Sequence, residues 1–386
     1  MMDTTCPKPR LLQPGTLLAL MVLLGGCTSF EYRYSEAEEA SLLAQVVPEK
    51  PVDRLDPLFL SDEVRARLDT LVRPGESDQS RLRAVRKFLF DEPGLAISYD
   101  ANRTQTAMEL WVSRAGNCLS MTNLFIAAAR HLGIDANYET VAVKPTWNTD
   151  GTTMIRYEHI VATGRLSNGE EYVIDFLPDF VIGGRRSRQI DDEHALALFY
   201  SNLGAEAFID GQLPQAIEHL RAAIALEPDF SDAWNNLGAA YRRTGQTLLA
   251  EFSYQRALYL DKDNFSALSN LAQFYSLEDR EAEADFFIKR VERYRRRNPY
   301  FHYFLAGKLF QQREFEVVIQ LLEYAIRLKR DEPDFYDAMA KTYEQLEDRA
   351  KEARYLALAD KYRNEVNRPP PMEGNSRFWV KTIRVY

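Results

Sequence analysis

A spacing of 34 residues recurs along the second half of this 386-residue chain and limits what that half can fold into. From Ala197 onward, successive segments carry small residues and large apolar residues at matching positions, and the apolar residues follow helical spacing. These segments span 197–230, 231–264, 265–298, 299–332 and a fifth that begins near Pro333. A helical unit this short cannot bury its apolar face alone, so the units are expected to stack on one another.

The register is clearest in one pair of residues that returns in every segment: Leu203-Gly204, Leu237-Gly238, Leu271-Ala272, Leu305-Ala306 and Met339-Ala340. This period and pattern resemble the tetratricopeptide repeat. The resemblance implies an all-α solenoid of about five repeats over residues 191–362, whose concave surface binds a protein or peptide partner. Four asparagines at or near equivalent positions are candidates for that contact and are predicted to be exposed: Asn202, Asn235, Asn236 and Asn270. The alternative is a polar face that only contacts solvent.

The chain opens with the features of an export leader. Lys8 and Arg10 precede a short apolar run, and that run leads into Leu24-Gly25-Gly26-Cys27. So short a run cannot cross roughly 30 Å of hydrocarbon as a helix, which favours a cleaved leader over a membrane span. The ending resembles a bacterial lipobox, which implies a lipoprotein signal peptide over residues 1–26 and a lipid such as palmitate on Cys27. The alternative is an ordinary secretory leader.

A lipid on Cys27 would anchor the protein in the bacterial cell envelope. Several acyl chains on one residue give stable membrane attachment, since each buried CH₂ contributes about 0.8 kcal/mol. Thr28 after the cysteine resembles the pattern of lipoproteins sorted to the outer membrane, here facing the periplasm. Residues 27–57 are polar at first and then contain prolines, so we expect a lipidated tether that acts as a spacer.

Cysteine content singles out one thiol. Of the three cysteines, Cys6 would leave with the leader and Cys27 would carry lipid, so Cys118 has no internal disulfide partner. A lone thiol in an oxidising compartment is a liability unless it is buried or functional. The alternative to a functional thiol is an inert one that packs as a small apolar side chain.

Cys118 lies at a predicted helix start. The run Arg114-Ala115-Gly116 ends one predicted helix, which Thr104 would cap, and Cys118 opens the next, which ends at Gly133. The positive end of the helix dipole and the unpaired N–H groups there favour a thiolate. Three strand-like segments follow at 138–143, 154–163 and 171–176. Helices followed by an antiparallel sheet predict an α+β domain over residues 58–190.

His159 and Asp175 lie on two of these predicted strands. Cys, His and Asp suit the roles of nucleophile, base and orienting carboxylate. The Gly-Asn-Cys run, a Leu-Gly-Ile about fourteen residues later and this chain order resemble the transglutaminase-like superfamily of papain-type cysteine enzymes, over about residues 80–180. The resemblance implies a thioester on Cys118, proton transfer by His159 and an imidazole oriented by Asp175. The Cys118 backbone N–H would donate to an oxyanion, with Trp111 or Asn117 as candidate second donors.

The hairpin at Asn168-Gly169 decides whether His159 and Asp175 can meet. A two-residue turn would pair Ser167 with Glu170 and place Asp175 on the opposite face of the sheet from His159. A loop of odd length, or a bulge, would bring the two residues onto one face. The triad requires the second arrangement.

Several functions are disfavoured. A formal net charge of −9 argues against nucleic acid as a partner. Histidines outside the first domain lack ligand-spaced neighbours, and no Gly-rich phosphate loop is present, so we predict no metal site and no cofactor. The tail over 363–386 is too short for a domain, and its apolar end is expected to dock on the last repeat or to be disordered.

Two functions remain. The first is an enzyme, a peptidase, amidase or acyltransferase that acts on peptide or isopeptide amides while the repeats recruit a partner. The second is a scaffold lipoprotein whose transglutaminase-like domain has lost its activity.

Overall fold

The computed structural model describes residues 30, 32–47, 54–100, 103–142, 146–147, 154–155, 158–176, 187–366 and 381–384. The predicted leader and Cys27 lie outside these ranges. None of the helices within the ranges combines the length and apolar character needed to cross a bilayer.

Short, well-capped helices precede the sheet. The elements in order are α1 (Glu36–Val46), α2 (Asp62–Asp69), α3 (Asp78–Phe90), β1 (Ser98–Tyr99), α4 (Ala107–Ser113), β2 (Ala115–Gly116) and α5 (Cys118–His131). Each helix follows a Ser, Thr or Asn whose side chain accepts a hydrogen bond from the N–H three residues later. Residues 119–129 of α5 are all buried, so this helix forms the centre of the domain.

The strands are β3 (Asn137–Ala142), β4 (Thr146–Trp147), β5 (Met154–Ile155), β6 (Glu158–Arg165), β7 (Glu171–Asp175), β8 (Ser187–Ile190) and β9 (Lys381–Arg384). Five of them form a sheet in the order β8-β3-β6-β7-β9, while β4 and β5 form a separate ribbon. The rings of Tyr172 and Phe176 contact Phe125 of α5 at 6.5 and 6.0 Å between centroids. Helices and a largely antiparallel sheet thus form the predicted α+β domain.

Part of the C-terminal tail pairs with the sheet. Residues 381–384 lie in parallel beside β7 at the sheet edge, with Lys381 opposite Tyr172. The open edge of β7 offers unpaired backbone groups that such an extended segment can satisfy. The apolar stretch of the tail, Phe378-Trp379-Val380, lies outside the described residues, so its docking on the last repeat stays a prediction.

The β6–β7 hairpin has a three-residue loop. The Leu166 N–H donates to the Glu170 carbonyl at 2.8 Å, and the Gly169 N–H donates to the Leu166 carbonyl at 2.8 Å. Gly169 has φ of +86°, a left-handed conformation that glycine adopts without strain. The odd loop length puts His159 and Asp175 on one face, because the register Ala162↔Ile174 places Asp175 opposite Val161.

Ten helices follow in five antiparallel pairs: α6 (Asp192–Ile209), α7 (Leu213–Leu226), α8 (Ser231–Arg243), α9 (Thr247–Leu260), α10 (Phe265–Leu277), α11 (Glu281–Arg297), α12 (Pro299–Gln311), α13 (Phe315–Leu328), α14 (Pro333–Gln345) and α15 (Arg349–Val366). From α8 onward, the first helix of each pair begins 34 residues after the previous one, as the sequence predicts. Gly238 allows close approach within a pair, since a Cβ there would lie 2.7 Å from the Tyr254 ring.

The N-terminal segment, comprising residue 30 and residues 32–46, lies along the second helices of the first three repeats. Its aromatic rings contact α9 and α11, with Tyr34 at 5.2 Å from Phe252 and Phe30 at 6.3 Å from Phe287. Leu42 and Val46 of α1 are buried. Over these residues the predicted spacer packs on the repeats, because burying its apolar side chains there is favourable. Its role as a lipidated tether stays a prediction.

Candidate active site

Hydrogen bonds from an earlier loop fix the backbone immediately before Cys118. The Asp100 N–H donates to the carbonyl of Gly116 at 2.9 Å, and the Asn117 N–H donates to the carbonyl of Arg103 at 3.0 Å. These bonds join stretches that are separated by one helix in the sequence. The start of α5 is therefore held by the tertiary structure as well as by its own cap.

Asn117 is the N-cap of α5. Its Oδ1 accepts from the Ser120 N–H at 2.9 Å, and its Nδ2 donates to the Thr104 hydroxyl oxygen at 2.6 Å. Cys118 is the first residue of the helix, as predicted; it is half-buried, and it is the free thiol of the described residues. Thr104 does not cap α4, because that position belongs to Thr106.

His159 and Asp175 meet across the hairpin. The imidazole Nε2 lies 2.7 Å from Oδ1 of Asp175, and the two side chains are only 3% and 0% exposed. The thiol of Cys118 also acts on this imidazole and raises its pKa. The structure thus brings the three residues singled out in the sequence into one cluster at the start of α5.

The electrostatics of this cluster favour a protonated imidazole. Burial by itself lowers the pKa of His159, because it disfavours the charged ring. The hydrogen bond to Asp175, the interaction with Cys118 and the charges of both groups act in the opposite direction and raise the pKa from 6.5 to about 9. At neutral pH the ring is therefore an imidazolium beside the thiol.

The two candidate second oxyanion donors have other contacts. The amide of Asn117 is engaged at both ends in the cap. The ring of Trp111 lies 5.8 Å from that of Phe88, and the Arg114 guanidinium lies 5.6 Å from its centroid. Within the described ranges, no group of three or more His, Cys, Asp or Glu side chains is placed to hold a metal ion.

The four asparagines of the repeats were predicted to be exposed, and none of them is. Asn235 is 6% exposed, and its Oδ1 accepts from Nδ2 of Asn270 at 2.8 Å in the next repeat. Asn202, Asn236 and Asn270 are partly buried. Asn235 and Asn270 thus link neighbouring repeats, because amides at nearly equivalent positions of stacked helices come within hydrogen-bonding distance. The contact of the four asparagines with a partner stays a prediction.

Sequence reasoning missed Thr104 and Glu206 as neighbours of the site. The Thr104 N–H donates to Oε1 of Glu206 at 2.9 Å across 102 positions. No motif connects the two residues, and Glu206 falls within the repeat pattern, where a carboxylate is ordinarily a solvated surface group.

Comparison with known families agrees with both halves of the fold. A profile described as "Transglutaminase-like superfamily" matches residues 65–202. Profiles described as "TPR repeat" and "Tetratricopeptide repeat" match residues 204–245 and 231–264. The chain carries a transglutaminase-like domain followed by tetratricopeptide repeats. The resemblances to the transglutaminase-like superfamily and to the tetratricopeptide repeat are confirmed, as is the predicted fold class. The transglutaminase-like match runs past β8 into α6.

Curated relatives share only short stretches with this chain. The tetratricopeptide repeat domain-containing protein PYG7 of Arabidopsis thaliana is 33% identical over 73 residues, which is 19% of this chain and 24% of that protein. Protein O-mannosyl-transferase TMTC1 of Homo sapiens is 38% identical over 68 residues, 18% of this chain and 8% of that protein. The chain thus spans a quarter or less of the length of these relatives.

Solved structures with some similarity include two bacterial proteins. MamA from residue 41 to its end, from Desulfovibrio magneticus, is 16% identical with a TM-score of 0.25, covering 45% of this chain and 97% of that one. PilF of Pseudomonas aeruginosa is 24% identical with a TM-score of 0.26, covering 44% of this chain and 77% of that one. Similarity at this level carries no argument about function.

Proposed function

We propose that Cys118, His159 and Asp175 form the catalytic triad of a cysteine acyl-transfer enzyme. The observation that carries the proposal is the buried His159–Asp175 hydrogen bond of 2.7 Å, made by an imidazole on which Cys118 also acts electrostatically. Asp175 then fixes the ring and stabilises its cation, while the cation stabilises a thiolate at the start of α5. The three residues lie within a transglutaminase-like domain, which supports a cysteine-based reaction.

The reaction that fits these groups is acyl transfer from a peptide or isopeptide amide. The Cys118 thiolate attacks the carbonyl carbon, and the new oxyanion accepts a hydrogen bond from the Cys118 backbone N–H. His159 gives its proton to the amide nitrogen, the C–N bond breaks, and the amine leaves a thioester behind. Water or a second amine then loses its proton to His159, attacks the thioester and releases the thiolate.

The repeats recruit a protein or peptide that brings the scissile amide to the first domain. Tetratricopeptide repeats generally mediate protein–protein interaction, which supports this part of the proposal. The predicted polar contacts are Asn202, Asn235, Asn236 and Asn270, of which Asn235 is buried.

The anchor in this proposal is a lipid on Cys27 in the bacterial envelope, at the outer membrane and facing the periplasm. Phe30 contacts α11 and lies three residues after Cys27, a distance of at most about 11 Å of extended chain. An anchored Cys27 would therefore hold the first three repeats against the membrane surface. Metabolic labelling with radioactive palmitate should mark the wild type and Cys6→Ser but not Cys27→Ser, and equal labelling of all three would contradict the anchor.

The test of the triad is the pH dependence of Cys118 alkylation by iodoacetamide. Rapid alkylation well below pH 8 is expected for the wild type, because the imidazolium stabilises the thiolate. His159→Ala should shift the profile to that of an ordinary thiol, near pH 8.5. Cys118→Ser is the control that shows that the label is on this residue.

A slow wild-type reaction with an ordinary thiol profile, unchanged in His159→Ala, would refute the triad. The remaining function would then be the scaffold lipoprotein, in which Cys118→Ser leaves partner binding and the cellular role intact. In the proposed enzyme, Cys118→Ser abolishes the activity of a protein that still folds.

A further inference from the structure

Glu206 belongs to α6, the first helix of the repeats, yet its carboxylate reaches the loop beside Cys118. Its Oε1 accepts from the Thr104 N–H at 2.9 Å. Thr104 is only 6% exposed, so water competes little for this bond.

Thr104 also contacts Asn117 through its side chain. Nδ2 of Asn117 donates a hydrogen bond to the Thr104 hydroxyl oxygen at 2.6 Å. Oδ1 of Asn117 is then directed at Ser120, whose N–H and hydroxyl both lie at 2.9 Å. The Asn117 amide consequently has one orientation that satisfies both of its ends.

We propose that Glu206 is a positioning residue for the nucleophile: through Thr104 it fixes the Asn117 cap that holds Cys118 at the start of α5. The inference rests on the proposed function, in which Cys118 is the attacking group. It makes the first repeat a structural part of the catalytic unit, in addition to any role in recruiting a partner.

The surroundings of Glu206 support this role. Among the described residues Glu206 forms no ion pair, and the charged groups that act on it are the acids Asp210 and Asp100. Burial and these acids raise the pKa of Glu206, although the interactions with Thr104 act against the rise. A half-buried carboxylate without a cation is unfavourable by itself, so the hydrogen bond from the Thr104 N–H is the contact that explains its place.

The test compares three substitutions on the same helix. Glu206→Ala removes the acceptor, whereas Glu206→Gln keeps an acceptor oxygen in its place. Glu193→Ala is the matched control, because Glu193 also joins α6 to an earlier part of the chain. It forms an ion pair with Arg54, just before the first domain, at 2.5 Å, and both side chains are more than half exposed. Two quantities are measured in the full chain: hydrogen–deuterium exchange of the peptide covering residues 117–121, and the rate of Cys118 alkylation between pH 5 and pH 9.

Glu206→Ala should raise the exchange of this peptide and slow alkylation at pH 7 by about five- to tenfold, the loss expected when a helix cap is weakened. Glu206→Gln and Glu193→Ala should behave like the wild type in both measurements. Rescue by Gln separates positioning from a general loss of stability, because a change in overall fold would also appear in the exchange of distant peptides.

Unchanged exchange of residues 117–121 in Glu206→Ala would overturn the inference. So would raised exchange with wild-type alkylation, because the contact would then stabilise the loop without affecting the thiol. An ordinary thiol profile in the wild type would refute the triad instead, and the exchange of residues 117–121 would still decide whether Glu206 holds the cap.

Discussion

The two ends of the solenoid differ in what their cores are joined to. The first three repeats share one continuous apolar core with the N-terminal segment and the transglutaminase-like domain, extending from Leu42 through Phe125 and Trp234 to Val291. The last two repeats have small clusters of their own, one around Leu322 and Met339, and one of Tyr336, Ala359 and Tyr362.

The same repeated sequence pattern thus occurs in two structural settings, one packed against the rest of the molecule and one packed mainly on neighbouring repeats. In an isolated solenoid each repeat contacts only its neighbours, and stability is close to a sum over repeats. The last repeat follows that description, whereas α12 of the fourth repeat also contacts β4 of the first domain. The first three repeats do not follow it, because they share one core with the N-terminal segment and with the helix that carries Cys118. We therefore expect damage in the first repeats to reach the site and damage in the last repeats to stay local.

The largest expected effect comes from matched truncations at equivalent positions. Trp234 and Tyr336 are each the fourth residue of their helix, and each donates to the carbonyl six residues earlier at 2.8 Å. Replacing either by Ala removes a buried aromatic ring and should cost about 3–5 kcal/mol locally. Hydrogen–deuterium exchange should rise through α5 and the repeats in Trp234→Ala, but only in α14 and α15 in Tyr336→Ala.

The thermal unfolding of the two variants provides the control. Trp234→Ala should lower the temperature of the transition in which Cys118 becomes freely alkylated, and Tyr336→Ala should leave that temperature unchanged. The comparison of the two ends would be wrong if both variants exposed Cys118 at the same lowered temperature.

The same contrast explains how much of the fold the sequence predicts. The period of 34 is local information, and the helix starts from α8 onward follow it to the residue. The N-terminal segment was not predicted, because its docking depends on contacts such as that of Arg33 with Glu251, across 218 positions. Composition alone describes those residues as a polar spacer.

The candidate site was predictable in its residue types and less so in its geometry. Cys118 at a helix start follows from the turn at Gly116. His159 and Asp175 lie on one face of the sheet only because the hairpin loop has three residues instead of two. The dipeptide Asn168-Gly169 is compatible with both loop lengths, so the sequence does not decide between them. The link from Glu206 to Asn117 has no sequence pattern, because it arises where two differently built domains pack together.

A change of pH is expected to have a smaller effect on stability, and only in the part of the molecule that contains His159. The folded-state pKa of His159 is raised from 6.5 to about 9. The protonated ring therefore stabilises the fold fully below pH 6.5, and this contribution is lost as the pH rises through about 9. The difference in free energy of unfolding between the wild type and His159→Gln should fall by on the order of 3 kcal/mol over this range.

Urea unfolding at several pH values, followed by tryptophan fluorescence, measures this difference. Tyr336→Ala serves as the reference, because its loss of stability should not vary over the same pH window. A constant difference in the free energy of unfolding between the wild type and His159→Gln would show that Asp175 and Cys118 do not raise the pKa of His159 in the folded protein.

The smallest expected effect comes from adding one methyl group to a helix at either end of the solenoid. A Cβ on Gly238 would lie 2.7 Å from the Tyr254 ring, whereas one on Gly307 in α12 meets nothing within 4 Å. Gly238→Ala should therefore destabilise the first repeats by about 2 kcal/mol through overpacking, and Gly307→Ala should stabilise the last repeats by up to about 1 kcal/mol through helix propensity. Urea unfolding of both variants measures the two signs, and destabilisation by Gly307→Ala would mean that α12 packs against a surface as crowded as that of α8.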